Sequence, residues 1–377
     1  MRSPFMFGKI VAGEKFIDRE EEQKQLSHNI ASHINTVLIS PRRWGKSSLV
    51  MCVAEALERR NPRVRFCFLD LFNVRSEEEF YAQLAKEVLR VSFSKWEERV
   101  ESAKRFFKRL TPKFSVGVDP LHDFSVSFDW EELRKSFGEI LDLPEEISRE
   151  KEIQVVVCLD EFQNIGYFDE PLGFQKRLRA QWQHHELATY CLYGSKRHLM
   201  TELFEQKSMP LYKFGDILFL EKIREEHWVP FITEGFSKTG KRINEGLASR
   251  IAQDMECHPY FVQQLAYAVW TATTRNCTTR EYDAAVDSLL TQHAFLFQRQ
   301  VDALTNPQAN FLKALCDNVA QLSAADTVQK YQLGTSGNVN RIKTALVNKE
   351  VLDITSQKIE FIDPLFKLWF RTVYMRL

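Results

Sequence analysis

Thr36-Val-Leu-Ile-Ser-Pro-Arg-Arg-Trp-Gly-Lys-Ser-Ser-Leu-Val50 decides how the rest of this chain is read. Thr36–Ser40 is a short β-rich run, and the residues after Gly45 take up a helical pattern through about Arg60. The segment Ser40–Ser48 therefore lies between a strand and a helix, the context a phosphate-binding loop requires. A turn at a helix N-terminus aims several backbone N–H groups inward, and the helix dipole adds partial positive charge. In this reading Gly45 lets the backbone approach phosphate oxygens closely. Lys46 reaches the β- and γ-phosphates. Ser47 offers a hydroxyl to Mg²⁺, with Ser48 beside it. Ser40, Pro41, Arg42, Arg43 and Trp44 complete the expected cradle. The first position departs from G-x-x-x-x-G-K-[ST], because Ser40 stands where glycine is usual. Serine tolerates positive φ less well, so the start of the loop is expected to differ.

Working outward, Arg65–Leu71, Ile153–Leu159, Ala188–Tyr193 and Asp216–Leu220 read as further strands, and Glu77–Val91 as a helix. The nearly unbroken apolar character of Ile153–Leu159 suits a central parallel strand covered on both faces. Strands separated by helices imply an α/β fold with a parallel sheet and right-handed crossovers. An insert, roughly residues 92–150, holds a predicted hairpin, KFSVGV–DPLH–DFSVSF, flanked by helical patterns. The expected division is a P-loop core over residues 1–220, a wholly helical lid over 221–304 and a winged-helix domain over 305–377.

The apolar strand Val155–Leu159 runs straight into Asp160 and Glu161. Charges there land at the carboxyl end of the strand, where open α/β sheets place ligands. Asp160 is suited to hold Mg²⁺ and Glu161 to polarise an attacking water, since phosphoryl transfer mainly needs positioning and charge compensation. The plain alternative is a solvated strand end. Ser195, after the fourth strand, is a candidate to sit between this acidic pair and the γ-phosphate, with Lys196 or Arg197 adding positive charge. An ordinary strand-to-helix turn is the alternative. Gln163 is a weaker candidate for orienting water, weighed against a solvated helix residue.

Composition narrows the classes. Of 377 residues 44% are hydrophobic, and 51 Lys+Arg balance 51 Asp+Glu, which excludes a globally basic DNA-coating protein or an acidic tail but not a local basic face. The longest apolar runs are far short of the ~20 residues of a bilayer helix, and the N-terminus lacks the apolar stretch of a signal peptide. The seven cysteines are scattered, with no Cys-x-x-Cys. They read as reduced, mostly buried thiols in a cytoplasmic protein. In the last segment, three short helical stretches over 310–317, 324–332 and 338–348 precede VLDIT and KIEFID, the order of a winged helix. Nine Lys+Arg against six Asp+Glu from Thr305 to Leu377 leave a net of only +3, so DNA and protein remain alternative partners for it.

With these residues in view, the chain resembles the archaeal-type ATPases, AAA+-related P-loop NTPases of the STAND group. Phe16-Ile17-Asp18-Arg19-Glu20, PRRWGKSSL, LDEFQ, YGSKRHLM, Cys257-His258-Pro259-Tyr260 and Phe361-Ile362-Asp363-Pro364-Leu365-Phe366 carry the likeness, in that order. The resemblance implies ATP or ADP as ligand, with Mg²⁺. It also implies that Phe16, Ile17 and Arg19 lie near the adenine, and that Pro259 of the lid packs on the base. Core packing is the plainer role for the apolar run after Pro259. Relatives carry an Arg before the fifth strand. Here Leu211-Tyr212-Lys213-Phe214-Gly215 lacks it, leaving Lys213 as the nearest cation and turnover that is expected to be slow or to use Lys213. The function implied is an ATP-hydrolysing nucleotide switch that reports to the winged helix. The alternatives are a DNA-binding regulator with a structural nucleotide and an origin-recognition-like loader. Oligomerisation is left open.

Overall fold

The computed structural model describes residues 2–10, 17–93, 96–116, 124–355 and 358–376. Nine strands occur among them: β1 Thr36–Ile39, β2 Val64–Asp70, β3 Lys113–Val116, β4 Phe124–Ser127, β5 Gln154–Asp160, β6 Thr189–Gly194, β7 Asp216–Phe219, β8 Leu352–Ile354 and β9 Ile359–Phe361. Five form one parallel sheet in the order β2-β5-β6-β1-β7. Every residue of β1 and β6 is buried, as expected for strands covered on both faces. Val37, Val157 and Leu192 pack into one large apolar core with residues of the helices Glu77–Ser92, Trp130–Leu141 and Pro171–Trp182. The helices Glu20–Ala31 and Lys46–Arg60 pack against each other and against the sheet. Cys158 and Cys191 pair in register between β5 and β6, while Cys67 pairs with Val157, one residue out of step and so on the opposite face. All three thiols are buried.

The insert follows the expectation where it is described. β3 and β4 pair antiparallel, Lys113 opposite Ser127, between the helices Trp96–Phe106 and Trp130–Leu141. The DPLH turn lies outside the described residues. Asp129 caps the second of these helices by accepting from the backbone N–H of Glu131 and Glu132.

Contacts divide the chain into two compact units, Arg19–Glu221 and Met1–Asp18 with Lys222–Leu377. The division expected from sequence kept residues 1–18 with the sheet. The described ones pack with the second unit instead: the Phe5 ring lies 5.7 Å from that of Phe236, and the Gln263 side-chain oxygen accepts from the backbone N–H of Met6 at 2.9 Å. The second unit contains the helices Glu225–Lys238, Glu245–Asp254, Pro259–Ala272 and Thr279–Asp302. Thr278 and Glu281 start the longest of them with a reciprocal capping box. Then come Asn306–Cys316, Ala325–Lys330, Ser336–Asn348, the antiparallel pair β8–β9 and the helix Pro364–Trp369, the succession of a winged helix. A single apolar cluster runs through these four helices and the winged helix, with Phe297 against Phe366 and Trp369.

Candidate active site

The site grows out of the carboxyl ends of β5, β6 and β1. β1 ends at Ile39, paired with Gly194, so Ser40 and Ser195 leave adjacent strands at the same level. β5 ends at Asp160 on the other side of β6. The strand order thus sets the acidic pair, Ser195 and the phosphate loop side by side along one edge.

After Ser40 the backbone turns through Arg43 at φ 66° and Gly45 at φ 96°, and the helix begins at Lys46. Ser40 itself is not among the positive-φ residues, so its backbone makes no demand for glycine at the first position of the loop. Gly45 is needed for its dihedral and not for space, because a Cβ there would meet nothing within 4 Å. The N-cap residue of the helix Lys46–Arg60 is Gly45, which has no side chain to cap its first amides, and the helix dipole favours an anion there.

Lys46 is 5% exposed, and its Nζ donates to the carbonyls of Ser40 at 3.1 Å and Pro41 at 3.2 Å. Burial pushes its pKa down to about 8, against the pull of Glu161 and Asp160, which favour the charged form; Arg42 adds to the lowering. Ser47 Oγ donates to Asp160 Oδ2 at 2.7 Å. Asp160 Oδ1 accepts from the backbone N–H of Glu161 at 2.8 Å. Burial raises the Asp160 pKa, and so does Glu161, while the Ser47 hydroxyl and Lys46 oppose the rise.

Glu161 adopts a left-handed backbone, φ 51°, and starts the 3₁₀ segment Phe162–Tyr167. Its Oε2 accepts from Ser195 Oγ at 2.7 Å and from Gln163 Nε2. Arg42 Nε donates to Ser195 Oγ at 3.3 Å. Lys46, Ser47, Asp160, Glu161 and Ser195 thus converge. Gln163 is 2% exposed, which removes its reading as a solvated helix residue. The cations after Ser195 hold aromatic rings: Lys196 Nζ lies 5.7 Å from the Tyr167 ring centre, and the Arg197 guanidinium 6.0 Å from that of Trp44.

The residues expected near the adenine divide between the two units. Phe16 is outside the described residues. Arg19 belongs to the sheet unit, buried, with its guanidinium on Glu22 at 2.7 Å and on the carbonyl of Glu221. Ile17 and Pro259 belong to the second unit. Pro259 opens the helix Pro259–Ala272, capped by His258 Nδ1, which accepts from the Tyr260 N–H at 3.2 Å. The suggestion that Lys213 serves this pocket does not hold within the chain. β7 runs parallel to β1, with Asp216 paired to Thr36. Lys213 precedes β7, so it lies at the amino end of the sheet, opposite the phosphate loop.

Two contacts were not read from the sequence. Arg42 was placed in the loop without its contact to Ser195. Gly194 was passed over, yet a Cβ there would lie 2.1 Å from Gln163 Oε1 and 2.6 Å from Met200 Sδ. The available signal was a glycine closing a fully buried strand, which points to a close approach.

The donor set suits Mg²⁺. Ser47 and Asp160 present hard oxygens side by side. Among the described residues no group of three or more His, Cys, Asp and Glu could hold a metal. An ion here would complete its shell with phosphate oxygens and water, as Mg²⁺ does and as tightly caged ions do not.

Residues 9–172 match a family model described as predicted AAA-ATPase, and residues 295–372 one described as probable winged helix domain. No curated protein matches the chain. Among solved structures, the Walker-type ATPase of Pyrococcus abyssi is 16% identical, superposes with a TM-score of 0.67 and covers 98% of this chain and 99% of its own. The ORC2 protein of Aeropyrum pernix, solved as ADPNP–ADP complexes, is 13% identical with a TM-score of 0.54, covering 97% of both chains. These are likenesses of fold.

Proposed function

We propose, for a chain with the fold of the Walker-type, AAA-like ATPases and a C-terminal winged helix, that it binds and hydrolyses ATP and uses the nucleotide state to control what the winged helix engages. The observation that carries this reading is the hydrogen bond between Ser47 and Asp160, which brings the phosphate loop and the acidic strand end to one place beside Lys46. Lys46 exchanges its two carbonyl partners for β- and γ-phosphate oxygens. The uncapped amides of the helix Lys46–Arg60 hold the same phosphates. Mg²⁺, when bound at Ser47 and Asp160, neutralises phosphate charge. Glu161 accepts a hydrogen bond from the water that attacks the γ-phosphorus. The new P–O bond forms as the bond to the β–γ bridging oxygen breaks, and the water's proton leaves toward Glu161 and solvent. Ser195 and Arg42 lie where charge develops on the γ-phosphoryl oxygens. Adenine is favoured by the family resemblance and by the adenine nucleotides of the ORC2 structure.

The output surface is the helix Ser336–Asn348, whose exposed side carries Asn340, Arg341 and Thr344. Arg341 on that side and the half-buried Lys343, two residues on, offer cations to either a nucleic-acid groove or a protein. No described helix is long and apolar enough to cross a membrane, and we take the cytoplasm as the compartment.

The test is phosphate release with fluorescent-nucleotide titration. Lys46→Ala is expected to abolish nucleotide binding. Glu161→Gln is expected to bind ATP as before and to hydrolyse it about 100-fold more slowly. Turnover surviving Lys46→Ala overturns the reading. Tight binding by the wild type without turnover favours the regulator with a structural nucleotide, a reading helped by the position of Lys213 far from the pocket. A salt-dependent mobility shift with duplex DNA, lost in an Arg341→Ala/Lys343→Ala variant, assigns DNA as the partner; no shift at low salt assigns a protein.

A further inference from the structure

We propose that Gln163 is a positioning residue that locks the Glu161 carboxylate with one oxygen turned to the attacking water, and that Gly194 is glycine to give the Gln163 carboxamide its place. This rests on the catalytic reading of Glu161 above.

Four observations lead there. First, Ser195 Oγ and Gln163 Nε2 both donate to the same Glu161 oxygen, Oε2. Oε1 accepts from no described residue, so it is the oxygen offered to water. A single donor would leave the carboxylate free to turn about its terminal bond. Two donors on Oε2 from different elements, the end of β6 and the 3₁₀ segment, fix its plane. Second, the platform is rigid. Phe162 and Ile165 are fully buried, and Asn164 ties the segment down through its backbone N–H to the Glu161 carbonyl at 2.9 Å and its side chain to the Leu71 carbonyl at 3.2 Å.

Third, Gln163 is badly suited to a merely structural role. Its Oε1 is buried without a hydrogen-bond partner, an arrangement that costs stability and that leucine or methionine would avoid. Its one strong polar contact is with Glu161. Fourth, the neighbouring strand makes room for it. Any side chain at position 194 would collide with Gln163 Oε1 at 2.1 Å. Gly194 lies outside the left-handed region, so it is there for space and not for its dihedral. A costly buried amide, a strand glycine that accommodates it and a shared contact with the acid all have one beneficiary, Glu161.

The experiment compares Gln163→Leu and Gln163→Met with wild type, alone and in a Glu161→Gln background, by single-turnover ATP hydrolysis, steady-state kcat and KM, fluorescent ADP affinity and thermal unfolding. Loss of one hydrogen bond to a charged carboxylate predicts a fall in kcat of about 10- to 100-fold. KM and ADP affinity stay within about threefold, because Gln163 does not touch the nucleotide cradle. Tm holds or rises, since the partnerless oxygen is gone. In the Glu161→Gln background the further loss is under about twofold, because Gln163 acts only through Glu161. The proposal is overturned if kcat in both single variants stays within twofold of wild type, if the loss appears in KM, or if it persists in full in the Glu161→Gln background. A fall in Tm for both variants, matched by loss of ADP binding, assigns Gln163 to packing and also overturns it. Should Glu161→Gln alone leave turnover intact, the catalytic reading itself fails; slow Glu161→Gln beside fast Gln163→Leu removes only the positioning role.

Discussion

Lys46 is the buried charge on which the proposed nucleotide binding depends, and without a ligand it costs stability. Its folded-state pKa of about 8 stands against an ordinary value of 10.5, a difference of about 2.5 units. At about 1.36 kcal/mol per unit this amounts to about 3 kcal/mol. The group is nearly fully buried, so solvent screening does not shrink the figure. Its sign follows from proton counts. Between pH 8 and 10.5 the unfolded chain holds the Lys46 proton and the folded chain does not, so folding stability rises with pH across that window. Below pH 8 both states are protonated and the penalty is constant. Lys46→Met removes the titrating group. The perturbation is therefore read from the slope: in urea melts of nucleotide-free protein from pH 7 to 10.5, the stability of wild type relative to Lys46→Met should climb by about 3 kcal/mol. Comparing the two chains at each pH cancels the titration of distant Tyr, Lys and Cys. The absolute offset also contains the Ser40 and Pro41 carbonyls left without their donor, which is why the slope is the quantity to measure. Parallel stability curves for the two proteins over this range would refute the argument, because a buried amine of lowered pKa cannot leave stability independent of pH. Saturating ATP should flatten the wild-type curve, since phosphates hold the amine in its charged form.

Three further outcomes are expected. Gly194→Ala should cost about 1–3 kcal/mol from overpacking against Gln163 and Met200, and slow hydrolysis as Gln163→Leu does, measured by urea melts and phosphate release. Gly215→Ala should cost about 3 kcal/mol in the same melts, because its Cβ would sit 2.4 Å from the backbone oxygen of Asn35, an atom that already accepts from the Asp216 N–H and cannot move aside; Gly246→Ala, with its nearest neighbour at 3.4 Å, should gain about 0.5 kcal/mol and serves as the control. Thr278→Ala should lose about 1 kcal/mol by removing the capping box of the long helix Thr279–Asp302, with no change in nucleotide affinity by fluorescence titration.

The parts legible in the sequence were those encoded locally. β-rich runs gave all five strands of the sheet to within a residue or two, and a strand meeting Gly-Lys-Ser at a helix start marked the loop. The winged helix was legible from the succession of short helices and two short strands. What depended on lateral strand order was not. Nothing near Arg42 or Gln163 in sequence announces that β6 intervenes between β1 and β5, and this is what brings Ser195 to both Arg42 and Glu161. The position of Lys213 could have been read, because a residue ahead of a parallel strand must lie at the end away from the ligands. The packing of Phe5 beside Phe236 spans more than 200 residues and had no local signal.

The three cysteines of the central strands have a consequence of their own. Cys67, Cys158 and Cys191 lie at the middle of the sheet, on both of its faces, and burial pushes the thiols of Cys67 and Cys158 up, so even an alkylating reagent beside them would meet few thiolates. Reagent reaches them only when β2, β5 and β6 come apart. In a chain whose four other cysteines, Cys52, Cys257, Cys277 and Cys316, have been changed to alanine, the rate of alkylation therefore keeps time for separation of those strands, and ATP that tightens the phosphate edge should slow that clock.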